Sequence, residues 1–169
     1  KKIVLLDPVF LNPKIMNYIR LLALTRLRHR TPLAVGARRR RDKWISRKEA
    51  SEYLSNKHLF QGWDDRMFDS YIEHGLVEKP DGVELAFPKG LEAFLFGSVP
   101  TSKWKYIKRM KKEALVVRGQ ESDVLTDETW ELLKRTRPDV EYLELSKLGH
   151  LFPMQAPEMT AEIIVDFAS

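Results

Sequence analysis

The chain has no cysteine among its 169 residues. That excludes disulfides and thiolate metal sites within it, and it fits a reducing compartment such as the cytoplasm or peroxisome. Its four histidines, His29, His58, His74 and His150, are scattered, with no two at metal-ligand spacing, so no metal centre is expected. No apolar run approaches the ~20 residues of a membrane-crossing helix, and no membrane span is expected. Repeats and low-complexity tracts are missing too, apart from a run of four arginines at 38–41. There is no initial methionine: Lys1-Lys2 leads straight into an apolar stretch, which implies further sequence upstream. A start of that kind carries no information on targeting.

Charge is present in excess of one sign. Lysine and arginine number 29 against 24 acidic residues, a formal net charge of +5. A basic balance raises the question of nucleic acid or an anionic surface as partner. The arginine run with Lys43, and the mixed segment Lys103, Trp104, Lys105, Tyr106, Lys108 and Arg109, are the places to ask it. Asp42, Glu49 and Glu52 dilute the first. Both segments read as a solvated surface, with Trp44, Trp104 and Tyr106 packing a lid against a core, and no nucleic-acid partner is expected.

Along the chain, Lys2 to Leu6 is a short run, apolar after its lysine, of the sort that suits a strand covered on both faces. Asn12-Pro13 offers an N-cap and a first-turn proline, and Ile15, Tyr18, Ile19 and Leu22 keep helical spacing to about Arg28. From about 11 to 106 no convincing buried strand is found. Ser46-Arg47-Lys48-Glu49 matches a capping box, Asp64 caps a helix that Gly75 stops, Pro80-Asp81-Gly82 marks a turn, and Pro88 opens a further helix. After Pro100 strands and helices alternate: a strand at 114–117, a helix from Thr126 ended by Pro138, a strand at 141–145, and a helix at about 157–167. Strand–helix–strand–helix with short loops demands parallel strands.

The chemistry-bearing residues lie in the loops after these strands. Asp123 follows the strand Leu115-Val116-Val117-Arg118-Gly119, and His150 follows Leu143-Glu144-Leu145 in the segment Ser146-Lys147-Leu148-Gly149-His150. Asp7, after the first strand, is a rival carboxylate, although its Asp-Pro context reads more simply as a loop hydrogen-bonding residue. Phe60, Trp63, Met67, Phe68, Phe94 and Phe96 read either as a substrate tunnel or as the core of the middle segment itself. Tyr18, Tyr53 and Tyr71 sit in no motif that fixes a role.

Three segments together resemble the α/β-hydrolases. Lys2-Ile3-Val4-Leu5-Leu6-Asp7-Pro8 is similar to the strand that precedes the lid. Residues 114–123 resemble the strand–G-x-x-S/D–D segment. Leu148-Gly149-His150-Leu151-Phe152-Pro153 with Pro157-Glu158 resembles the family's G-H-x-x-P-x-x-x-P-E segment. The resemblance implies an α/β fold: the C-terminal part of a hydrolase parallel sheet with an inserted helical cap. The expected parts are a core strand at 1–10, a cap at 11–106, and a C-terminal core at 107–169.

It further implies that His150 is the general base and Asp123 the acid that orients it, with Gly149 leaving space beside the imidazole. The nucleophile and oxyanion donors belong upstream of Lys1, on a missing N-terminal half that would pair with the first strand; no G-x-S-x-G occurs here. With serine there, the implied reaction is hydrolysis of an ester-like bond in a small apolar substrate, without cofactor or metal. With aspartate it is epoxide hydrolysis, and with neither a non-catalytic binding protein.

Overall fold

A computed structural model describes residues 1–23, 31–98 and 102–169. In chain order the elements are β1 (Ile3–Leu6), α1 (Pro13–Ala23), α2 (Pro32–Arg39), β2 (Lys43–Trp44), α3 (Arg47–Ser55) and a short 3-10 turn at His58–Phe60. There follow α4 (Asp65–His74), β3 (Leu76–Lys79), β4 (Gly82–Leu85), α5 (Lys89–Gly97) and α6 (Lys103–Arg109). The chain ends with β5 (Ala114–Gly119), α7 (Asp127–Thr136), β6 (Glu141–Leu145), α8 (Phe152–Gln155) and α9 (Pro157–Ala168). The expected continuation of the first helix to Arg28, with His29 and Pro100, lies outside the described residues. Two compact units result, Lys1–Tyr18 with Pro100–Ser169, and Ile19–Val99.

The first unit is built on a parallel sheet in the order β1-β5-β6, with Leu6 opposite Val117 and Gly119 opposite Leu145. β5 is central, and all six of its residues are buried. Successive side chains of a strand point to opposite faces, and the apolar contacts follow that alternation. Ala114 and Val116 pack with Phe10, Ile107, Leu125, Trp130 and Leu133. Leu115 and Val117 pack with Leu145, Phe152 and Phe167. Helix α7 therefore covers one face and α8 with α9 the other, which is why the run 114–117 is apolar throughout.

Two side chains tie this unit together. Trp104 lies against the first cluster and donates its indole N–H to the Leu11 carbonyl at 2.8 Å. Arg137 is buried, donates to the Ile107 carbonyl at 2.5 Å and forms a fork on Asp139. That carboxylate holds the guanidinium above its usual range, and is itself held below the ordinary carboxylate value by it.

The second unit, expected to be mostly helical with no convincing buried strand, also holds a small sheet. β2, β4 and β3 form a small antiparallel sheet in that order. The strands escaped notice because β2 has two residues and β3 and β4 four each, too short for a period of two to register. Val83 and Leu85 nevertheless point inward with Trp44 and Leu76. The Pro80-Asp81-Gly82 turn closes the β3–β4 hairpin. Gly82 has φ of 133°, and a Cβ there would stand 2.2 Å from the Trp44 carbonyl oxygen.

Capping in this unit follows the sequence closely. Asp64 accepts from the Arg66 amide at 2.9 Å and Ser46 from the Glu49 amide at 3.2 Å. Glu49 reaches back to the Ile45 amide at 2.8 Å, one residue earlier than a strict capping box, and that bond lowers its pKa. Phe60, Trp63 and Phe68 pack into this unit's own core with Tyr53, Tyr71 and Ile72. Phe94 and Phe96 are 50% and 38% exposed.

The aromatic residues singled out in the sequence are placed within each unit as follows. Trp44 and Trp104 each pack within their own unit, and Tyr106 is exposed. The arginine run meets carboxylates: Arg40 pairs with Glu92 at 2.7 Å and Arg41 with Glu49 at 2.6 Å. Among the described residues no helix is long and apolar enough to cross a membrane.

Two substitutions test this packing through the denaturation midpoint of the natural protein. Leu133→Ala removes a side chain that is 1% exposed and should cost ~2–5 kcal/mol through the lost contacts and the cavity left behind. Arg47 donates to the carbonyls of Ile72, Glu73 and Leu76 and to the Glu78 carboxylate. Arg47→Lys keeps the charge but cannot reproduce the fork, and should lower stability by ~1–3 kcal/mol.

Candidate active site

The carboxyl ends of parallel strands are where α/β sheets assemble their sites, and three loops converge there in the first unit. β1 extends its ladder by one bond, from the Asp7 amide to the Val117 carbonyl at 2.7 Å, and then turns sharply. Asp7 takes a left-handed backbone conformation, φ of 37°, which Asp and Asn tolerate better than bulkier residues. The turn leaves its carboxylate 1% exposed over the end of the sheet.

Three donors fill that carboxylate. The Gly119 amide donates to Oδ2 at 3.0 Å. The Ser122 hydroxyl donates to Oδ1 at 2.8 Å, and His150 Nδ1 lies 3.0 Å from the same oxygen. An ionised carboxylate can only accept, so Nδ1 carries the proton. The imidazole's other nitrogen, Nε2, is left with its lone pair, the form a general base requires. The His150 side chain is 31% exposed.

The loops after β5 and β6 are stitched to each other. The Gln120 amide donates to the Leu145 carbonyl and the Glu121 amide to the Leu148 carbonyl, both at 2.9 Å. Gly119 sits at the closest point: a Cβ there would stand 2.3 Å from the Gly149 carbonyl oxygen and 2.4 Å from that of Leu148. Gly149, for which the sequence reading reserved the spatial argument, is different. A Cβ there would be 3.8 Å from Gln155 Oε1, an ordinary contact. The tight glycine is the one on β5. Gly149 is instead held through its amide, which donates to Gln155 Oε1 at 2.9 Å, so α8 fixes the histidine loop.

The sequence reading expected His150 and Asp123 to meet at this convergence. The structure corrects the pairing: the carboxylate on the imidazole is that of Asp7, while Asp123 is exposed and has no hydrogen-bond or ion-pair partner among the described residues. The reason lies one residue earlier. Ser122 accepts from the amides of Val124 and Leu125 at 3.2 and 3.1 Å, and its own amide donates to the Gly119 carbonyl. That turn points residue 122 inward and residue 123 toward solvent. Asp7 was legible as a rival, and the signal for it was topological: β1 and β5 are parallel neighbours, so the loops after both must emerge at the same end.

Arg118 supports the site from below. It is buried, donates to the Leu125 carbonyl at 3.1 Å, pairs with Asp127 and Glu144, and lies over the Trp130 ring. It thereby ties the loop after β5 to both α7 and β6. Among the described residues no cluster of three histidine or acidic side chains could hold a metal ion.

No protein-family model matches the chain. A curated relative is an uncharacterised hydrolase, YugF, of Bacillus subtilis strain 168. It is 28% identical over 126 residues, covering 74% of this chain and 44% of the relative. The solved structure of an E-2-(acetamidomethylene)succinate hydrolase overlays 99% of this chain and 57% of its own, with a TM-score of 0.72 at 16% identity. The peroxisomal α/β-hydrolase Lpx1 of Saccharomyces cerevisiae overlays 96% of this chain and 44% of its own, with a TM-score of 0.69 at 15% identity. Esterases and a thioesterase domain are among the other structures that match. The chain thus spans about half the length of the proteins it resembles. With the overlay running along nearly all of it, the chain has the fold of part of an α/β-hydrolase.

Proposed function

We propose that the natural protein hydrolyses an ester-like bond in a small apolar substrate, with His150 as general base and Asp7, in place of Asp123, as the acid that orients it. The observation that carries this reading is the 3.0 Å contact between His150 Nδ1 and a buried carboxylate, which leaves Nε2 as the free acceptor. The nucleophile in this reading is a serine on a part of the fold outside this chain. Nε2 takes the serine proton as the hydroxyl oxygen attacks the ester carbonyl, and passes it to the departing alcohol. It then takes a proton from water as water attacks the acyl group, and returns that proton to the serine. Asp7 stabilises the imidazolium in both halves without itself taking the proton.

The second unit, Ile19–Val99, is read as the cap. Leu91, Phe94 and Leu95 of α5 are 46%, 50% and 52% exposed within that unit. Such a cluster on one short helix marks a surface that meets something apolar.

In the natural protein, His150→Ala should abolish turnover of p-nitrophenyl butyrate and labelling by a fluorophosphonate. Asp7→Asn should lower kcat by roughly 10²–10⁴-fold, since the amide favours the wrong tautomer. Asp123→Ala should stay within about twofold of the parent, as expected for a solvated side chain. Full activity in Asp7→Asn together with a crippled Asp123→Ala would return the acid to Asp123.

A further inference from the structure

Ser122 is the member of the Asp7 cluster that the hydrolytic mechanism does not use, and its surroundings define it closely. Its oxygen accepts two backbone amides, from Val124 at 3.2 Å and Leu125 at 3.1 Å. A hydroxyl has two acceptor lone pairs and one proton. With both lone pairs taken, the proton has one direction left, toward Asp7 Oδ1 at 2.8 Å. The same occupancy removes Ser122 as a stand-in for the missing nucleophile: its lone pairs face the backbone and its proton faces the acid, not the base.

We propose that Ser122 is a positioning residue of the active site, a one-way hydrogen-bond donor that holds the Asp7 carboxylate in the orientation that receives His150 Nδ1. The inference rests on the reading of Asp7 and His150 as acid and base. Asp7 sits on a single-residue turn with φ of 37°, so its backbone alone does not fix its side chain. The Gly119 amide anchors Oδ2, and without a second anchor the carboxylate can rotate about that contact. Ser122 supplies the second anchor on the oxygen that the imidazole uses. A carboxylate at position 122 would do the opposite, because two like charges would compete for one site. Serine there and aspartate at position 7 are therefore two halves of one choice of acid.

The test uses the natural protein and four variants. Ser122→Ala should lower kcat roughly 10–100-fold with KM within about twofold, the loss expected for one hydrogen bond to a charged group. Ser122→Thr, which keeps the hydroxyl, should recover most of that loss. Ser122→Asp keeps an acceptor for the Val124 and Leu125 amides, so a role confined to the turn predicts recovery, whereas the donor role predicts activity at or below that of Ser122→Ala. The low-field imidazole N–H resonance of His150 gives a readout independent of turnover: it should shift or broaden in Ser122→Ala and Ser122→Asp and return in Ser122→Thr. Recovery of kcat and of that resonance in Ser122→Asp, or an unchanged kcat in Ser122→Ala, would overturn the proposal. Asp7→Asn separates the two levels: if it is fully active, the reading of the acid fails, and if it is crippled while Ser122→Ala is not, only the role of Ser122 fails.

Discussion

One buried carboxylate organises the working end of the first unit. Asp7 stands at the point where β1 leaves the sheet, and it receives one donor from the end of β5, one from the loop beyond it, and one from the loop after β6. A charge taken out of water is tolerated only when hydrogen bonds replace its hydration. The three donors do that, and in doing so they hold three loops in register. The left-handed backbone at Asp7 costs on the order of 1–3 kcal/mol, and the bonds that converge on its side chain offset it.

The rest of the core serves that convergence. β5 is buried on both faces and so cannot shift relative to β1 or β6 without exposing an apolar row. Its last residue must be glycine, because the carbonyls of Leu148 and Gly149 pass within 2.4 Å of where a Cβ would be. Arg118, one residue earlier, fastens the same strand end to α7 and β6. Burial, close backbone approach and a buried cation all act on one strand terminus. The imidazole inherits that rigidity through bonds no longer than 3.0 Å.

How much of this could be read from the sequence depended on the range of the forces involved. The parallel strands of the first unit, the caps at Asn12, Ser46 and Asp64, and the final helix were legible because apolar runs and capping residues are local signals. His150 was legible because glycine, histidine and two prolines stand at fixed offsets. The carboxylate beside it was not, because the turn over residues 119–125 decides whether 122 or 123 faces inward, and no period of the sequence records it. The small sheet of the second unit escaped for a related reason: strands of two and four residues are defined by their partners across the hairpin rather than by their own pattern.

The Asp7 carboxylate and the His150 imidazole are 143 residues apart in sequence. Asp7 is therefore synthesised well before His150 and waits, with its strand, for the segment that carries the imidazole. A nascent polypeptide that stops short of its last segment holds a carboxylate with no imidazole to orient. The contact that holds the imidazole in place can thus form only after residue 150 has left the ribosome, long after the strand that carries its carboxylate.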